Sequence, residues 1–245
     1  MNNYQICSHW ILEQQHDKNP QVLDYGCGAG EIIKQLRQNN IDAWGCDIFY
    51  EGGDYSASID PEFMNNGIIK KMNNGNIPFD SNSFDFVINN QVMEHVEDIN
   101  IVLSEIQRVL KPGGKVLSLF PDKGIWRECH SGIPFLHWFP KGSQFRISYA
   151  AAFRSLGFGH YKDDKSIMQW SRDFCEWLDK WTYYRSAKDI ELSYSKYFSS
   201  IQHIEEYWLQ KKLEGWGKNI ASIVPISAQQ LFVHKFAGLV FVASK

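Results

Sequence analysis

The chain has 245 residues, of which 44% are hydrophobic and 22% are charged. This length and apolar fraction suffice for one sizeable α/β domain with an appended cap, and they make disorder or a coiled coil a poor description. The formal charge of −3 comes from 25 basic and 28 acidic residues without a long basic tract, so electrostatics gives no support to a nucleic-acid partner. We therefore expect a small-molecule partner and no nucleic acid, and the sequence leaves the oligomeric state open.

The sequence shows no signs of membrane insertion, export or oxidative folding. No apolar run approaches the roughly 20 residues of a membrane-spanning helix, and residues 1–4 lack the pattern of a signal peptide. The five cysteines are odd in number, scattered and without a C-x-x-C pair, which argues against a disulfide framework or a cysteine-rich zinc site. We expect a soluble, cytoplasmic protein with no membrane span.

The aromatic residues, 15% of the chain, are unevenly distributed. Seven of the nine tryptophans follow residue 120. The two halves of the chain are therefore expected to be built differently.

Strands and helices alternate along the first half of the sequence, a pattern typical of a doubly wound α/β fold with a mainly parallel, Rossmann-like sheet. Two apolar runs near the end, 231–233 and 239–242, predict an antiparallel hairpin at the edge of this sheet and bring the predicted strands to seven. The other predicted strands are 22–25, 43–46, 68–69, 84–88 and 116–120, and helices are predicted at 4–17, after Gly30 and at 98–110.

A glycine-rich turn follows the first predicted strand. Gly26, Gly28 and Gly30 lead directly into a helix, so the backbone there can approach a ligand where a side chain would collide. The next strand ends at Asp47, which is 21 residues after Gly26 and near the offset of a carboxylate that binds ribose hydroxyls. The pattern indicates a nucleoside-containing cofactor, although a tight turn without a ligand would use the same glycines.

Two cofactor classes compete for this turn, a dinucleotide and S-adenosylmethionine. The dinucleotide fingerprint G-x-G-x-x-G requires glycine or alanine at position 31, where this chain has Glu31. An acid at the start of a helix would also repel a pyrophosphate. The residues favour S-adenosylmethionine.

Several segments in the correct order resemble the class I S-adenosylmethionine-dependent methyltransferases, particularly the small-molecule group that includes the ubiquinone and menaquinone C-methyltransferases. The resemblance covers about residues 20–121 and is more specific than any single motif. It is carried by residues 22–30, 44–48, 75–80, 83–88, 92–96 and 110–115.

The resemblance implies a cofactor site. It places the methionine part of S-adenosylmethionine against the glycine turn, the ribose on Asp47, the adenine beside Ile48, Asn76 and Ile77, and the methionine end near Asn90 and Gln91. Local turn chemistry and core packing remain alternative roles for these residues. The expected cofactor-binding residues are Asp24, Gly26, Cys27, Gly28, Gly30, Asp47, Ile48, Asn76, Ile77, Asn90 and Gln91.

The resemblance also implies a domain division. Residues 1–160 and 221–245 would form the cofactor-binding domain, and residues 161–220 would form an aromatic-rich helical cap inserted into it. Aromatic residues at helical spacing in this insertion either pack it onto the sheet or form a dry pocket for an acceptor. The aromatic-poor first half would then bind the cofactor, and the second half the acceptor.

Methyl transfer is an in-line displacement, so the main requirements are alignment and exclusion of water. An oxygen nucleophile also needs a general base. The candidates are His130 in the loop after the fifth strand, then Asp122 at the end of that strand, and His95. The loop histidines His130 and His137 could instead satisfy only backbone groups, and His95 could be structural.

A metal is not expected at this site. Some members of the family bind a divalent cation through a Glu-x-x-Glu-His run, and here Gln91 replaces the first carboxylate, which removes a charged ligand.

We expect O-methylation of a sugar, aromatic or isoprenoid-type metabolite. The alternatives are C- or N-methylation of a small metabolite and a protein that binds S-adenosylmethionine without catalysis.

Overall fold

The computed structural model describes residues 1–14, 19–73, 75–213 and 223–245. One seven-stranded sheet forms the centre, and helices cover both faces. The strands are β1 (Gln21–Tyr25), β2 (Asp42–Asp47), β3 (Ile69–Lys71), β4 (Phe84–Asn90), β5 (Leu110–Phe120), β6 (Ser200–His203) and β7 (Leu239–Ser244). The helices are α1 (Asn3–Glu13), α2 (Glu31–Gln38), α3 (Pro61–Asn65), α4 (Ile99–Val109), α5 (Gln144–Ser155), α6 (Ile167–Trp181), α7 (Ala187–Tyr194), α8 (Glu205–Lys212) and α9 (Ile226–Phe236).

The sheet has the strand order β3-β2-β1-β4-β5-β7-β6. The five strands from β3 to β5 are parallel, and β7 is antiparallel to both of its neighbours. The doubly wound, mainly parallel sheet with an antiparallel edge is therefore confirmed. The strand order reverses between β1 and β4, and a crevice opens at such a point beyond the carboxyl ends of the strands.

The amino-terminal helix α1 begins with a capping box. The Asn2 side chain accepts a hydrogen bond from the Gln5 backbone, and the Gln5 side chain accepts one from the Asn2 backbone, which together satisfy two free donors of the first turn. The helix ends at Glu13, and residues 15–17 of the predicted 4–17 helix lie outside the described residues.

The antiparallel edge uses a different partner from the predicted one. The prediction of a strand at 231–233 is wrong, because these residues belong to α9. Val233 is fully buried, whereas Leu231 is 59% exposed, and a strand would have put both on one face. The partner of β7 is β6, whose four residues show only one apolar side chain, Ile201, and therefore give little sequence signal.

Three apolar clusters form the interior. One face of the sheet packs against α1, α2, α8 and α9, and the other against α4 and α7. The third cluster joins α5 and α6 to the loop that follows β5, and it includes Ile133, Leu136, Trp170 and Leu178. This third cluster holds a loop and two helices over the carboxyl end of the sheet.

Residues 161–220 contribute to more than one layer. The helix α6 belongs to the third cluster, while β6 is a strand of the main sheet and α8 packs on one of its faces. The division at 161–220 stays a prediction, and part of its carboxyl boundary lies outside the described residues. Within the described ranges, no helix is both long and apolar enough to cross a membrane.

The helical assignment of 226–236 predicts unequal effects of two alanine substitutions. Val233→Ala should lower the free energy of unfolding by about 2 kcal/mol, because it removes two methyl groups from a buried site. Leu231→Ala should change it by less than about 0.5 kcal/mol, because that side chain is exposed. Urea unfolding measures both, and equal losses for the two variants would support a strand instead.

Candidate active site

The turn between β1 and α2 is closely packed at Gly26 and Gly30 and open at Gly28. The Gly26 N–H donates to the Cys46 carbonyl and the Gly30 N–H to the Cys27 carbonyl, each at 2.8 Å. All three glycines have positive φ, and an added Cβ at Gly26 would lie 2.4 Å from Val92 Cγ2. At Gly28 the nearest atom would be Tyr55 Cδ2 at 3.7 Å, so the backbone there is open to a ligand.

Asp47 stands at the end of β2, next to this turn. Its Oδ2 accepts a hydrogen bond from the Gly28 N–H and its Oδ1 one from the Phe49 N–H, both at 2.9 Å. The carboxyl group of Asp24 lies buried beneath the turn, where burial and the charge of Asp47 raise its pKa well above the ordinary value. Of the two carboxylates next to this turn, Asp47 is therefore the one that faces the crevice.

A cavity of about 370 Å³ occupies the crevice beyond β1, β2 and β4. Seven of the predicted cofactor residues line it, namely Gly26, Cys27, Gly28, Asp47, Ile48, Asn90 and Gln91. Other lining residues were not predicted, among them Tyr4 of α1, Tyr50, Tyr55 and Met72. Asp24, Gly30, Asn76 and Ile77 are not among the lining residues.

Asn76 and Ile77 lie away from the cavity. Asn76 is exposed, and Ile77 is buried in the cluster under α4. The Ile77 N–H donates to Glu105 Oε2, and its carbonyl accepts from Arg108, each at 2.9 Å. Met72, after the end of β3, faces the cavity instead, and the roles assigned to Asn76 and Ile77 stay predictions.

Polar groups in the cavity fit S-adenosylmethionine. The Oδ1 atom of Asn90 is buried and has no hydrogen-bond partner in the described part of the chain. A ligand amino group could donate to it, and Asp47 could accept from ribose hydroxyls. The neighbouring Gln91 adopts a positive φ of 59° and its N–H donates to the Leu119 carbonyl at 2.8 Å, and the segment that follows, with Val92 and His95, continues along the cavity wall.

A second cavity, of about 680 Å³, adjoins the first. Aromatic rings of α6 form one wall, and Trp170 and Phe174 stack with their centroids 4.9 Å apart and their planes at 10°. The two cavities share five lining residues: Gly52, Gly53, Tyr55, His130 and Trp177.

His130 is held between two partners at this junction. Its Nδ1 lies 2.7 Å from Glu128 Oε1, and its Nε2 lies 3.2 Å from His95 Nε2. The Nδ1 of His95 lies 2.7 Å from the Trp181 carbonyl, which can only accept, so this nitrogen carries a proton. The structure thus brings the predicted His95 and His130 together.

Glu128, which was not among the predicted site residues, is fully buried. Its carboxylate accepts hydrogen bonds from Ser131 N at 2.6 Å, from Ser131 Oγ at 2.8 Å and from Tyr184 OH at 2.9 Å, in addition to two from His130. An acid two residues before a loop histidine was the available signal. The partner Tyr184 is distant in sequence and gave none.

These contacts determine the charges. Burial raises the pKa of Glu128, but the hydrogen bonds from His130 and Ser131 outweigh it and hold the pKa at about 2. Burial lowers the pKa of His130, yet the hydrogen bond and charge of Glu128 raise it above its ordinary value. For His95, burial and the charge of His130 lower the pKa to about 4. Glu128 is therefore ionised at neutral pH, and His95 is neutral.

Glu94 adds a third group to this cluster. It is 2% exposed, neither carboxylate oxygen has a hydrogen-bond partner among the described residues, and burial raises its pKa to about 7. Glu94, His95 and His130 offer atoms within 4.8 Å of one another, a grouping with which a cation is compatible. The expectation of no metal rested on Gln91 in place of a carboxylate and did not include His130 as a possible ligand. It stays a prediction.

Asp122 points away from both cavities. Its Oδ2 accepts from the Gly124 N–H at 3.0 Å, and its Oδ1 lies 3.0 Å from His234 Nε2 of α9. The structure does not bring Asp122 together with His95 and His130, and its catalytic role stays a prediction.

The fold and site define a class of protein. A doubly wound sheet with a glycine turn and an acidic strand end at its switch point binds a nucleoside-containing cofactor. Residues 23–118 match the family model described as a methyltransferase domain. The demethylmenaquinone methyltransferase of Symbiobacterium thermophilum is 32% identical over 180 residues, which cover 64% of this chain and 71% of that protein. The chain therefore belongs to the class I S-adenosylmethionine-dependent methyltransferases, and S-adenosylmethionine is its cofactor.

Other relatives agree with this family over shorter spans. The ubiquinone/menaquinone biosynthesis C-methyltransferase of Rickettsia typhi is 37% identical over 143 residues, 54% of this chain and 58% of that protein. The chain spans 58% of this relative, 40% of the C-methyltransferase of Desulfotalea psychrophila and 22% of a bifunctional biotin biosynthesis protein of Saccharophagus degradans.

Solved structures show the same fold. The phosphoethanolamine N-methyltransferase 2 of Haemonchus contortus in complex with S-adenosyl-L-methionine is 16% identical with a TM-score of 0.54, covering 100% of this chain and 53% of that one. An S-adenosylmethionine-dependent methyltransferase from Mesorhizobium loti is 12% identical with a TM-score of 0.55 and coverages of 99% and 100%.

The position of Asp47 predicts a loss of cofactor affinity in Asp47→Asn. A charged acceptor is replaced by a neutral one, so the dissociation constant for S-adenosylmethionine should rise at least about tenfold in calorimetry. Asp42→Asn is the matched control, because Asp42 begins the same strand and its carboxylate accepts from Gln21 outside the cavity. Wild-type affinity in Asp47→Asn would contradict the ribose assignment.

Proposed function

We propose that this protein transfers a methyl group from S-adenosylmethionine to a hydroxyl oxygen of a small molecule. The observation that carries the proposal is the junction of the two cavities, where His130 and Trp177 line both. Seven of the residues expected to bind the cofactor line the first cavity, and the second is large enough for a separate acceptor. Donor and acceptor would meet beside the imidazole of His130.

The residues of the chain have two tasks in this reaction. When bound, S-adenosylmethionine supplies an electrophilic methyl carbon on a positively charged sulfur. Asp47, the Gly26–Gly30 turn and Asn90 hold the cofactor in the first cavity, and Trp177 and Tyr55 at the junction exclude water from the space between the cavities. Alignment of this kind supplies much of the rate acceleration in such displacements.

His130 and His95 supply the proton acceptor. An acceptor hydroxyl must lose its proton as the oxygen forms its bond to the methyl carbon, and a general base within hydrogen-bond reach assists this. When the pair carries no proton between its two Nε2 atoms, these nitrogens can receive it, and the Glu128 carboxylate stabilises the resulting positive charge. This arrangement supports oxygen as the acceptor atom.

The walls of the second cavity indicate the class of acceptor. The stacked rings of Trp170 and Phe174 and the nearby Tyr161 and Trp177 form flat, apolar surfaces, and four acidic residues and one lysine add polar groups to the same lining. Such walls suit an aromatic, sugar or isoprenoid-type metabolite. Residues 161–220, which carry these rings, act in this proposal as the cap over the acceptor.

C-methylation is the second candidate, because the Rickettsia relative is named a C-methyltransferase. Loss of a proton from a ring hydroxyl would also activate an adjacent ring carbon, so the same histidines would serve.

We propose a cytoplasmic location and no nucleic-acid partner. The unpaired state of all five cysteines and the balanced charge support these two points.

The proposal predicts that formation of S-adenosylhomocysteine depends on His130. Incubation with S-adenosylmethionine and a fractionated metabolite extract should yield S-adenosylhomocysteine and a product heavier by one methyl group. His130→Ala should lower the rate about 100-fold or more, because the proton acceptor is removed. Mass spectrometry measures both products, and NMR of the methylated product separates an oxygen from a carbon acceptor.

His9→Ala is the control, because His9 is on α1 and lines neither cavity. Wild-type turnover in His130→Ala would contradict the role of the histidine. Cofactor binding without any turnover across all fractions would support the alternative of a non-catalytic S-adenosylmethionine-binding protein.

A further inference from the structure

A third cavity, of about 270 Å³, lies on the far side of Tyr184 from His130. It shares no lining residue with the two cavities of the candidate active site. A water molecule occupies about 30 Å³, so the space is several times larger than a bridging water requires. The lining residues are Lys123, His137, Trp138, Phe139, Pro140, Lys141, Arg146, Thr182 and Tyr184.

The lining of this cavity is positively charged. Lys123, Lys141 and Arg146 contribute three cations, and none of the described lining residues is acidic. Asp179, the nearby acid, is paired with Arg146 and accepts from the Gly142 N–H. Lys141 Nζ donates to the carbonyls of Asp179 and Thr182, which are neutral acceptors and leave its charge in place.

Two buried polar groups at the cavity have unused hydrogen-bonding capacity. His137 is 7% exposed; its ring faces the Lys123 carbonyl without the geometry of a full hydrogen bond, and neither ring nitrogen has another partner among the described residues. The Nε of Arg146, a residue that is 3% exposed, is likewise without a partner there. Buried polar groups are nearly always paired, so groups that line a cavity without partners indicate a ligand.

The charge and donor set select the chemistry of the ligand. Guanidinium and ammonium groups offer donors only, and a neutral imidazole offers one. Burial lowers the pKa of His137, against the opposing effects of the Glu128 charge and the Lys123 carbonyl. Several donors and a net positive charge in a partly enclosed space fit an oxyanion and repel a cation.

We propose that this cavity is a binding site for a small oxyanionic group, a phosphate or a carboxylate, separate from the candidate active site. Arg146 Nε and Lys123 donate to its oxygens, and the His137 ring lies beside the bound group. Trp138 and Phe139 line the same cavity and provide apolar contact for the organic part that carries the anion. This site goes beyond the proposed methyl transfer and does not depend on it.

Contacts across Tyr184 connect the site with the active site. The ring of Tyr184 packs against His137 with centroids 4.7 Å apart, and its hydroxyl donates to Glu128 Oε1 at 2.9 Å. A ligand bound beside His137 would therefore also contact Tyr184. This tyrosine donates to Glu128, and Glu128 in turn holds His130.

An NMR titration tests the proposal with inorganic phosphate and, separately, acetate as probes, at constant ionic strength set with sodium chloride. The His137 ring proton at Cε1, assigned by its loss in His137→Leu, should shift saturably with at least one probe. The better probe identifies a phosphate or a carboxylate site. Lys123→Met should weaken this binding about tenfold, because it removes one charged donor.

Lys34→Met is the matched control, since it removes an equal charge from the exposed face of α2 and should leave binding unchanged. No saturable shift with either probe, or equal weakening by both lysine substitutions, would overturn the site and indicate a water-filled cavity or general ionic screening. His137→Leu should retain wild-type affinity for S-adenosylmethionine in calorimetry. No methyl acceptor is used, so failure here and failure of the proposed methyl transfer are separately visible.

Discussion

The hydrogen bonds of the Asp47 carboxylate to the Gly28 and Phe49 backbones organise the cofactor half of this molecule. They join the end of β2 to the turn after β1, and the parallel pairing of β1 with β2 and β4 brings Asn90 to the same edge. Every group expected to contact the cofactor depends on this register. A shift by one residue would turn Asp47 to the opposite face of the sheet.

The glycine turn and the acid at the end of β2 could be predicted from the sequence because their signal is local, whereas Asn76 and Ile77 do not line the cavity. Glycines, a strand and an acid at fixed spacing specify a turn whose geometry is nearly independent of the rest of the chain. The prediction failed at 231–233, where an apolar triplet fits a short strand and a helix equally well. The true edge strand β6 is specified mainly by its pairing with β7, which a four-residue segment does not reveal.

The acceptor half could be predicted only in part. The loop histidine His130 was visible as a candidate, but its meeting with His95 depends on how the loop after β5 folds over the turn after β4. That fold is stabilised by the third apolar cluster, whose members Ile133, Ala150 and Trp170 are far apart in sequence. Asp122 was a candidate base because of its place after the fifth predicted strand, yet its side chain lies beside His234.

The buried Glu128 carboxylate is the charge around which the loop after β5 and Tyr184 are arranged. Five hydrogen bonds to the Glu128 carboxylate come from two neighbouring residues and from Tyr184, so its ionised form is stabilised although the residue is fully buried. The same tyrosine packs on His137 at the basic cavity. Movement of Tyr184 would remove one of the hydrogen bonds that offset the cost of burying the Glu128 carboxylate. It would therefore change the charge environment of His130, which contacts the same carboxylate oxygen. The tryptophan-rich half of the chain, for which we propose the acceptor site, therefore also contains the charge that raises the pKa of His130.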